Sequence, residues 1–291
     1  MLCNLCPRQC NALRDTAFNI GGFCNMPNTP VIARAALHLW EEPCISGKNG
    51  SGTVFFSGCS LHCVFCQNAE ISSKNKGKAI SVQNLADIFK RLEEQGAHNI
   101  NLVTPTHFVD CIIETLDIYR PDIPIVYNSS GYESVDTLKM LEQYIDIYLM
   151  DFKYINRDKS RLYSGANDYV EVCKSALLEA YRQQTECVIN DGIMQKGLIV
   201  RHLLLPQATR DAIEIFDWVK DNLPHAYFSL MSQYVPMGNA LNMPVINRTV
   251  TKREYDKVVD YIVDSGFEKC YIQELSSASK DFIPSFDFTG I

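Results

Sequence analysis

The run Gly58-Cys59-Ser60-Leu61-His62-Cys63-Val64-Phe65-Cys66-Gln67-Asn68 follows directly on the apolar stretch Thr53-Val54-Phe55-Phe56. Its three cysteines have C-x3-C-x2-C spacing on one short loop. Three thiolates can hold three corners of a cubane iron-sulfur cluster, and four are needed to close it, so one iron stays open to another ligand. The same residues also admit a zinc site, half of a disulfide framework, or buried packing thiols. A closed structural zinc site wants four ligands in paired C-x2-C or H-x3-H spacing. It would have to recruit a distant partner, because His62 is poorly placed on the same loop.

With Phe65 just before the last cysteine, the loop resembles the signature of the radical S-adenosylmethionine (SAM) enzymes. The resemblance implies a 4Fe-4S cluster on Cys59, Cys63 and Cys66, whose open iron chelates the amino and carboxylate groups of SAM. It also implies reductive cleavage, in which one electron reaches the sulfonium, methionine leaves, and a 5'-deoxyadenosyl radical abstracts hydrogen from a substrate. In such chemistry the protein binds, orients and excludes side reactions. An electron donor such as flavodoxin or ferredoxin is implied as a partner.

The bulk numbers fit that reading. At 291 residues with 46% hydrophobic content the chain can build one large α/β domain with a small appendage. A formal charge of -7 argues against a nucleic-acid partner, and the basic cluster Lys74-Asn75-Lys76-Gly77-Lys78 is too sparse to overturn it. Twelve cysteines suit metal binding in a reducing cytosol better than an extracellular disulfide scaffold. The start Met1-Leu2-Cys3-Asn4 has no signal pattern. The apolar run Leu198-Ile199-Val200 is broken by Arg201-His202, so a cytoplasmic protein without a membrane span is expected.

Strand-like and helix-like segments alternate along the chain. Strands are predicted over 53–57, 99–104, 124–129, 145–153, 197–206 and 226–235, each rich in β-branched or aromatic residues. Helices are predicted over 82–95 behind a Ser81 cap, and over 108–119, 134–143, 169–184 and 211–222. A last helix is predicted over 252–265, where Thr251-Lys252-Arg253-Glu254 has capping-box spacing and Gly266 can stop it. Alternation alone also permits a doubly wound sheet. The resemblance selects a partial (β/α)6 barrel of the radical SAM type, with a small N-terminal cysteine-rich segment. The expected division is residues 1–48 as that segment, 49–250 as the core, and 251–291 as a C-terminal helix and tail.

In such barrels ligands sit at the carboxyl ends of the strands. There the family often carries a Gly-Gly-Glu type motif, but this chain has Thr104-Pro105-Thr106-His107. The Thr104 and Thr106 hydroxyls can accept from an ammonium, and Thr106 also suits a helix cap. Asn128 and Ser129 are short polar groups that can meet a ribose or carboxylate. Met150-Asp151-Phe152-Lys153 is similar to the Asp-Leu-Lys element of the pyruvate formate-lyase activating enzyme group, which implies that Asp151 and Lys153 face SAM. A plain ion pair between them is the alternative. Adjacent strand residues face opposite ways, so Arg201 is taken as the inward group and His202 as scaffold. Gln233 is a candidate for the adenosine or the substrate.

Cys3, Cys6, Cys10 and Cys24 supply four thiolates, enough for a zinc site or a second iron-sulfur cluster, with Cys44 a substitute ligand and unmetallated thiols the alternative. The run Cys6-Pro7-Arg8-Gln9-Cys10, Gly21-Gly22-Phe23-Cys24 and Trp40-Glu41-Glu42-Pro43-Cys44 resembles the lead-in of uncharacterised relatives of pyruvate formate-lyase activating enzyme. The substrate is left open by that likeness, and an activase that places a radical on a partner protein's glycine is one hypothesis. Its rivals are a small-molecule or peptide modifier and a non-catalytic iron-sulfur or zinc protein.

Overall fold

The computed structural model describes residues 2–14, 21–279 and 282–291. Ten strands form one sheet: β1 Val31–His38, β2 Ser51–Phe56, β3 Lys78–Ala79, β4 Ile100–Val103, β5 Ile125–Ser129, β6 Ile147–Asp151, β7 Val188–Asn190, β8 Ile193–Leu203, β9 Tyr227–Met231 and β10 Cys270–Ile272. The helices are α1 Pro43–Ser46, α2 Ala69–Ser72, α3 Val82–Glu94, α4 Val109–Ile118, α5 Val135–Met140, α6 Arg157–Ser164, α7 Tyr169–Gln183, α8 Thr209–Asn222 and α9 Lys252–Asp264.

The sheet runs β10-β9-β8-β6-β5-β4-β2-β1-β3, with β7 paired antiparallel to β8. From β10 to β2 every neighbour is parallel, so helices cover the sheet and the central strands read as continuous apolar runs. β10 and β3 end the order without pairing to each other, which leaves an unclosed barrel, as expected. The six predicted strands are all present, and β10 adds a seventh parallel strand beyond them.

The helices follow from local signals. The Ser81 Oγ accepts from the Asn84 N–H at 3.1 Å, and α3 buries Leu85, Ile88, Phe89 and Leu92 at helical spacing. Thr251 and Glu254 form the predicted capping box of α9. α6 escaped the sequence reading; Asn156 caps it, and Gly165 ends it in the left-handed conformation.

β1 was also missed. Its eight residues, Ala-rich and without strong alternation, lie within the predicted irregular lead-in, yet they pair antiparallel with β2 from Ile32 to His38. The C-terminal residues extend this edge: Ala35 N–H donates to Thr289 O at 2.9 Å and Phe288 N–H to Ala33 O at 3.1 Å. Among the described residues no helix is long and apolar enough to cross a membrane.

Candidate functional site

The cysteine loop sits between the end of β2 and α2, at the carboxyl ends of the parallel strands. Gly58 opens it at φ +83°, where a Cβ would lie 2.4 Å from Met26 Cγ and 2.9 Å from Cys24 O. Only glycine lets the N-terminal segment pack this closely on the loop. Arg8 fastens that contact, donating from Nε to Ser60 O at 2.8 Å and from its terminal nitrogens to Ser164 and Gly165 carbonyls. Its guanidinium lies 4.0 Å from the Phe23 ring centroid, and Phe23 stacks on His62. Phe65, buried, packs edge-on against Tyr154, Tyr163 and Tyr234.

Cys59, Cys63 and Cys66 line one cavity of about 240 Å³. The sulfurs have hydrogen-bonding neighbours: Leu61 N–H donates to Cys59 Sγ at 3.3 Å, the Ser164 hydroxyl to Cys63 Sγ at 3.0 Å with the Tyr154 hydroxyl also beside it, and the Ser72 hydroxyl shares a 3.3 Å contact with Cys66 Sγ. Burial, and then the neighbouring Cys63, pushes Cys59 up to about 12 and raises Cys66 as well. Three ionised thiols here therefore need positive charge beside them, which iron supplies. Among the described residues no three His, Cys, Asp or Glu side chains are placed to hold a single metal ion. A cubane asks for something else, one thiolate on each of three separate irons, and this donor set fits it.

The same cavity is lined by Thr104, Asn128, Ser129, Asp151, Lys153, Arg201 and Gln233. Thr104 stands at φ +59°, unusual for a β-branched residue, and its N–H donates to Asn128 O at 2.9 Å. Gly131 turns the chain after β5 where a Cβ would meet Asp151 O at 2.1 Å. Arg201 is the hub. Its Nε donates to Asp151 Oδ1 at 2.9 Å, Nη1 to Glu41 Oε2 at 3.0 Å and Nη2 to Asn128 Oδ1 at 2.6 Å. Lys153 pairs with the other oxygen of Asp151. Burial would raise the Asp151 carboxyl, but the Arg201 and Lys153 charges overcome it and hold it below the usual carboxylate range. The predicted Asp151–Lys153 ion pair is thus present within a larger network.

One expectation is corrected. Thr106 does not line the cavity; it is buried, and its hydroxyl donates to Glu133 Oε1 at 2.8 Å, because the chain turns there into the 3-10 turn that precedes α4. Cys3, Cys6, Cys10 and Cys24 lie near one another: after burial, which acts first on both thiols, Cys24 and Cys3 help raise that of Cys6, and Cys3 and Cys10 that of Cys24. Cys6 and Cys24 turn into the core, Cys10 is exposed, and Cys3 Sγ accepts from Arg14 at 3.2 Å. His202 lies on the far side of β8 from Arg201, buried, with Nδ1 2.8 Å from Phe152 O.

Sequence reasoning assigned no role to Glu41, whose Oε1 accepts from Asn101 and Asn128 while Oε2 accepts from Arg201. The available signal was its place in Trp40-Glu41-Glu42-Pro43, two acids in an apolar setting before a proline.

Residues 53–223 match the family described as Radical SAM superfamily, and the chain belongs to that superfamily. It is 31% identical over 268 residues to uncharacterized protein MJ0674 of Methanocaldococcus jannaschii, covering 89% of this chain and 73% of that one. Its fold is similar to SuiB of Streptococcus suis bound to S-adenosylmethionine, with a TM-score of 0.51 at 15% identity over 76% of this chain. SuiB bound to the precursor peptide SuiA gives a TM-score of 0.50. The chain spans about half the length of SuiB, 49% in the SAM-bound structure. Membership of the superfamily implies SAM and a 4Fe-4S cluster as cofactors.

Proposed function

We propose that the chain reductively cleaves SAM at a 4Fe-4S cluster held by Cys59, Cys63 and Cys66, and abstracts a hydrogen atom from a small substrate. The observation that carries this is the meeting of those three sulfurs with Asn128, Asp151, Lys153 and Arg201 on one cavity wall. Held by Cys59, Cys63 and Cys66, the cluster would supply the one-electron reductive cleavage of SAM that hydrogen abstraction needs. The electron enters from a reduced flavodoxin or ferredoxin.

The chain's own groups do the positioning. Thr104, Asn128, Ser129 and Gln233 offer hydrogen bonds to the ribose, adenine and amino-acid ends of SAM. Arg201 and Lys153 supply positive charge for the SAM carboxylate, and Glu41 and Asp151 keep both cations oriented. Side-chain exposures of 10–18% across these four keep water largely out.

A small substrate is favoured over an activase's protein loop because Trp40, Ser279, Phe282, Ile283 and Pro284 also line the cavity, with Trp40 and Phe282 in edge contact at 4.8 Å. Activation of a glycyl-radical partner, supported by the likeness to pyruvate formate-lyase activating enzyme relatives, is the second reading. It requires that covering to move. Cys3, Cys6, Cys10 and Cys24 are proposed to hold zinc or a second cluster after rearrangement, in a protein of the reducing cytoplasm.

Anaerobic reconstitution followed by dithionite tests the main reading. Wild type should yield 5'-deoxyadenosine and methionine even without substrate, and a variant with Cys59, Cys63 and Cys66 all changed to Ala should yield neither. A loaded cluster that gives no deoxyadenosine sinks the proposal. Iron and zinc retained by the triple variant would report the N-terminal thiols.

A further inference from the structure

A second cavity, of about 350 Å³, lies beside the cysteine-lined one and shares Glu41, Arg201, Met231 and Gln233 with it. Its own walls include Glu42, Ser229 and Tyr271, and Trp40 and Phe282 stand on both.

Around this wall three acids, Glu41, Glu42 and Asp151, stand near two cations, Arg201 and Lys153. Arg201 and Lys153 face Glu41 and Asp151, two of each sign, and every Arg201 nitrogen already has an acceptor. Glu41 has donors on both oxygens. Glu42 is the surplus acid. It is 7% exposed, its Oε2 has no hydrogen-bond partner, and its side chain does not cap the α1 helix that begins at Pro43. Burial raises its pKa against the pull of the Arg201 charge and of a hydrogen bond with Ser229. The other titratable groups beside it are Glu41, Cys44 and Tyr271; burial pushes Cys44 up to about 11 and Tyr271 up as well, so both stay neutral.

A buried carboxylate oxygen without a hydrogen-bond partner carries a desolvation cost that a cationic donor seated beside it would relieve. The rings of Trp40, Phe282 and Tyr271 line the same cavity, and aromatic rings attract a cation and disfavour an anion.

We infer that Glu42 recognises the cationic nitrogen of a small substrate, an ammonium or guanidinium seated between its carboxylate and the aromatic wall. This rests on the radical SAM reading of the adjoining cavity, because it names the substrate class that reading leaves open.

The test is calorimetry on the reconstituted holoprotein with n-butylammonium as probe, and with n-butanol and butyrate as neutral and anionic counterparts. Wild type should bind n-butylammonium in preference to both counterparts. E42Q should bind it at least about tenfold more weakly. Equal binding of n-butanol, or unchanged binding by E42Q, overturns the inference. Should E42Q not fold, the wild-type preference decides: n-butylammonium bound more tightly than n-butanol and butyrate supports the assignment, and no preference refutes it. Wild-type deoxyadenosine formation, measured separately, keeps the two readings apart. Its absence sinks the radical chemistry, whereas its presence without ammonium binding sinks this inference alone.

Discussion

Arg201 Nη1 donates to Glu41 Oε2 at 3.0 Å across 160 residues of chain, joining the segment after β1 to the carboxyl half of β8. Both side chains are nearly dry, 12% and 10% exposed, and the same guanidinium also holds Asp151 and Asn128. The pair therefore closes one side of the barrel over the cavity that the cysteines line.

Removing that guanidinium strands two carboxylates in a poorly hydrated site. Arg201→Met should cost about 3 kcal/mol or more of unfolding free energy, since breaking a buried pair leaves its partner uncompensated. Adding Glu41→Gln should recover part of the loss, because the two residues are in direct contact. Urea unfolding of the single and double variants checks this; equal, additive losses would show that the contact carries no coupling.

Ser164 donates the hydrogen bond to Cys63 Sγ. Hydrogen bonds to cluster sulfurs raise reduction potential by stabilising the added electron. Ser164→Ala should lower the midpoint potential of a reconstituted cluster at unchanged iron content. A redox titration followed by electron paramagnetic resonance reads it, and an unmoved potential at full loading counts against Cys63 as a ligand.

Arg8 ties the N-terminal segment to the cysteine loop through three carbonyls and the Phe23 ring. Its bonds are charge-assisted and partly exposed, so Arg8→Ala should destabilise by roughly 2 to 4 kcal/mol. The loop should also open more often. Cluster bleaching by a chelator is then faster in the variant, and equal bleaching rates would show that the segment does not hold the loop.

Glu133 is buried against Thr106 and Tyr127, and burial pushes its carboxyl from 4.5 to about 7. A raised folded-state value means the contribution is fully present below pH 4.5 and is lost as pH rises through 7. The loss amounts to up to about 3 kcal/mol. His107 and His202, which burial lowers to about 3 and about 4, act oppositely, weakening the fold as pH falls below 6.5. The contrast between wild type and Glu133→Gln isolates the acid: wild type should lose more stability between pH 5 and pH 8. Parallel unfolding midpoints across that range would contradict the assignment.

Much of the barrel was legible because its signals are local. Apolar runs bounded by turn formers mark β2, β4, β5, β6, β8 and β9, and the caps at Ser81 and Thr251 act within three residues. β1 and β10 carry no comparable local signal. Val31–His38 is a strand because β2 and the residues around Thr289 supply its backbone partners, and Cys270–Ile272 because β9 does. The cysteine spacing likewise announced a loop of three thiols, but not the serine hydroxyls that meet Cys63 and Cys66.

By itself the sequence determined six parallel strands with five of their helices and α9, the three-thiol loop and the strand ends that bear Asn128, Asp151 and Arg201, since periodicity, capping and spacing act between near neighbours in the chain. Only the tertiary structure decided that Thr106 serves Glu133, that Glu41 completes the Arg201 network, and that Glu42 keeps one carboxylate oxygen without a hydrogen-bond partner. Those outcomes turn on which distant groups the sheet order brings together in a space that excludes water, where each charge must find a partner or give up its ionisation.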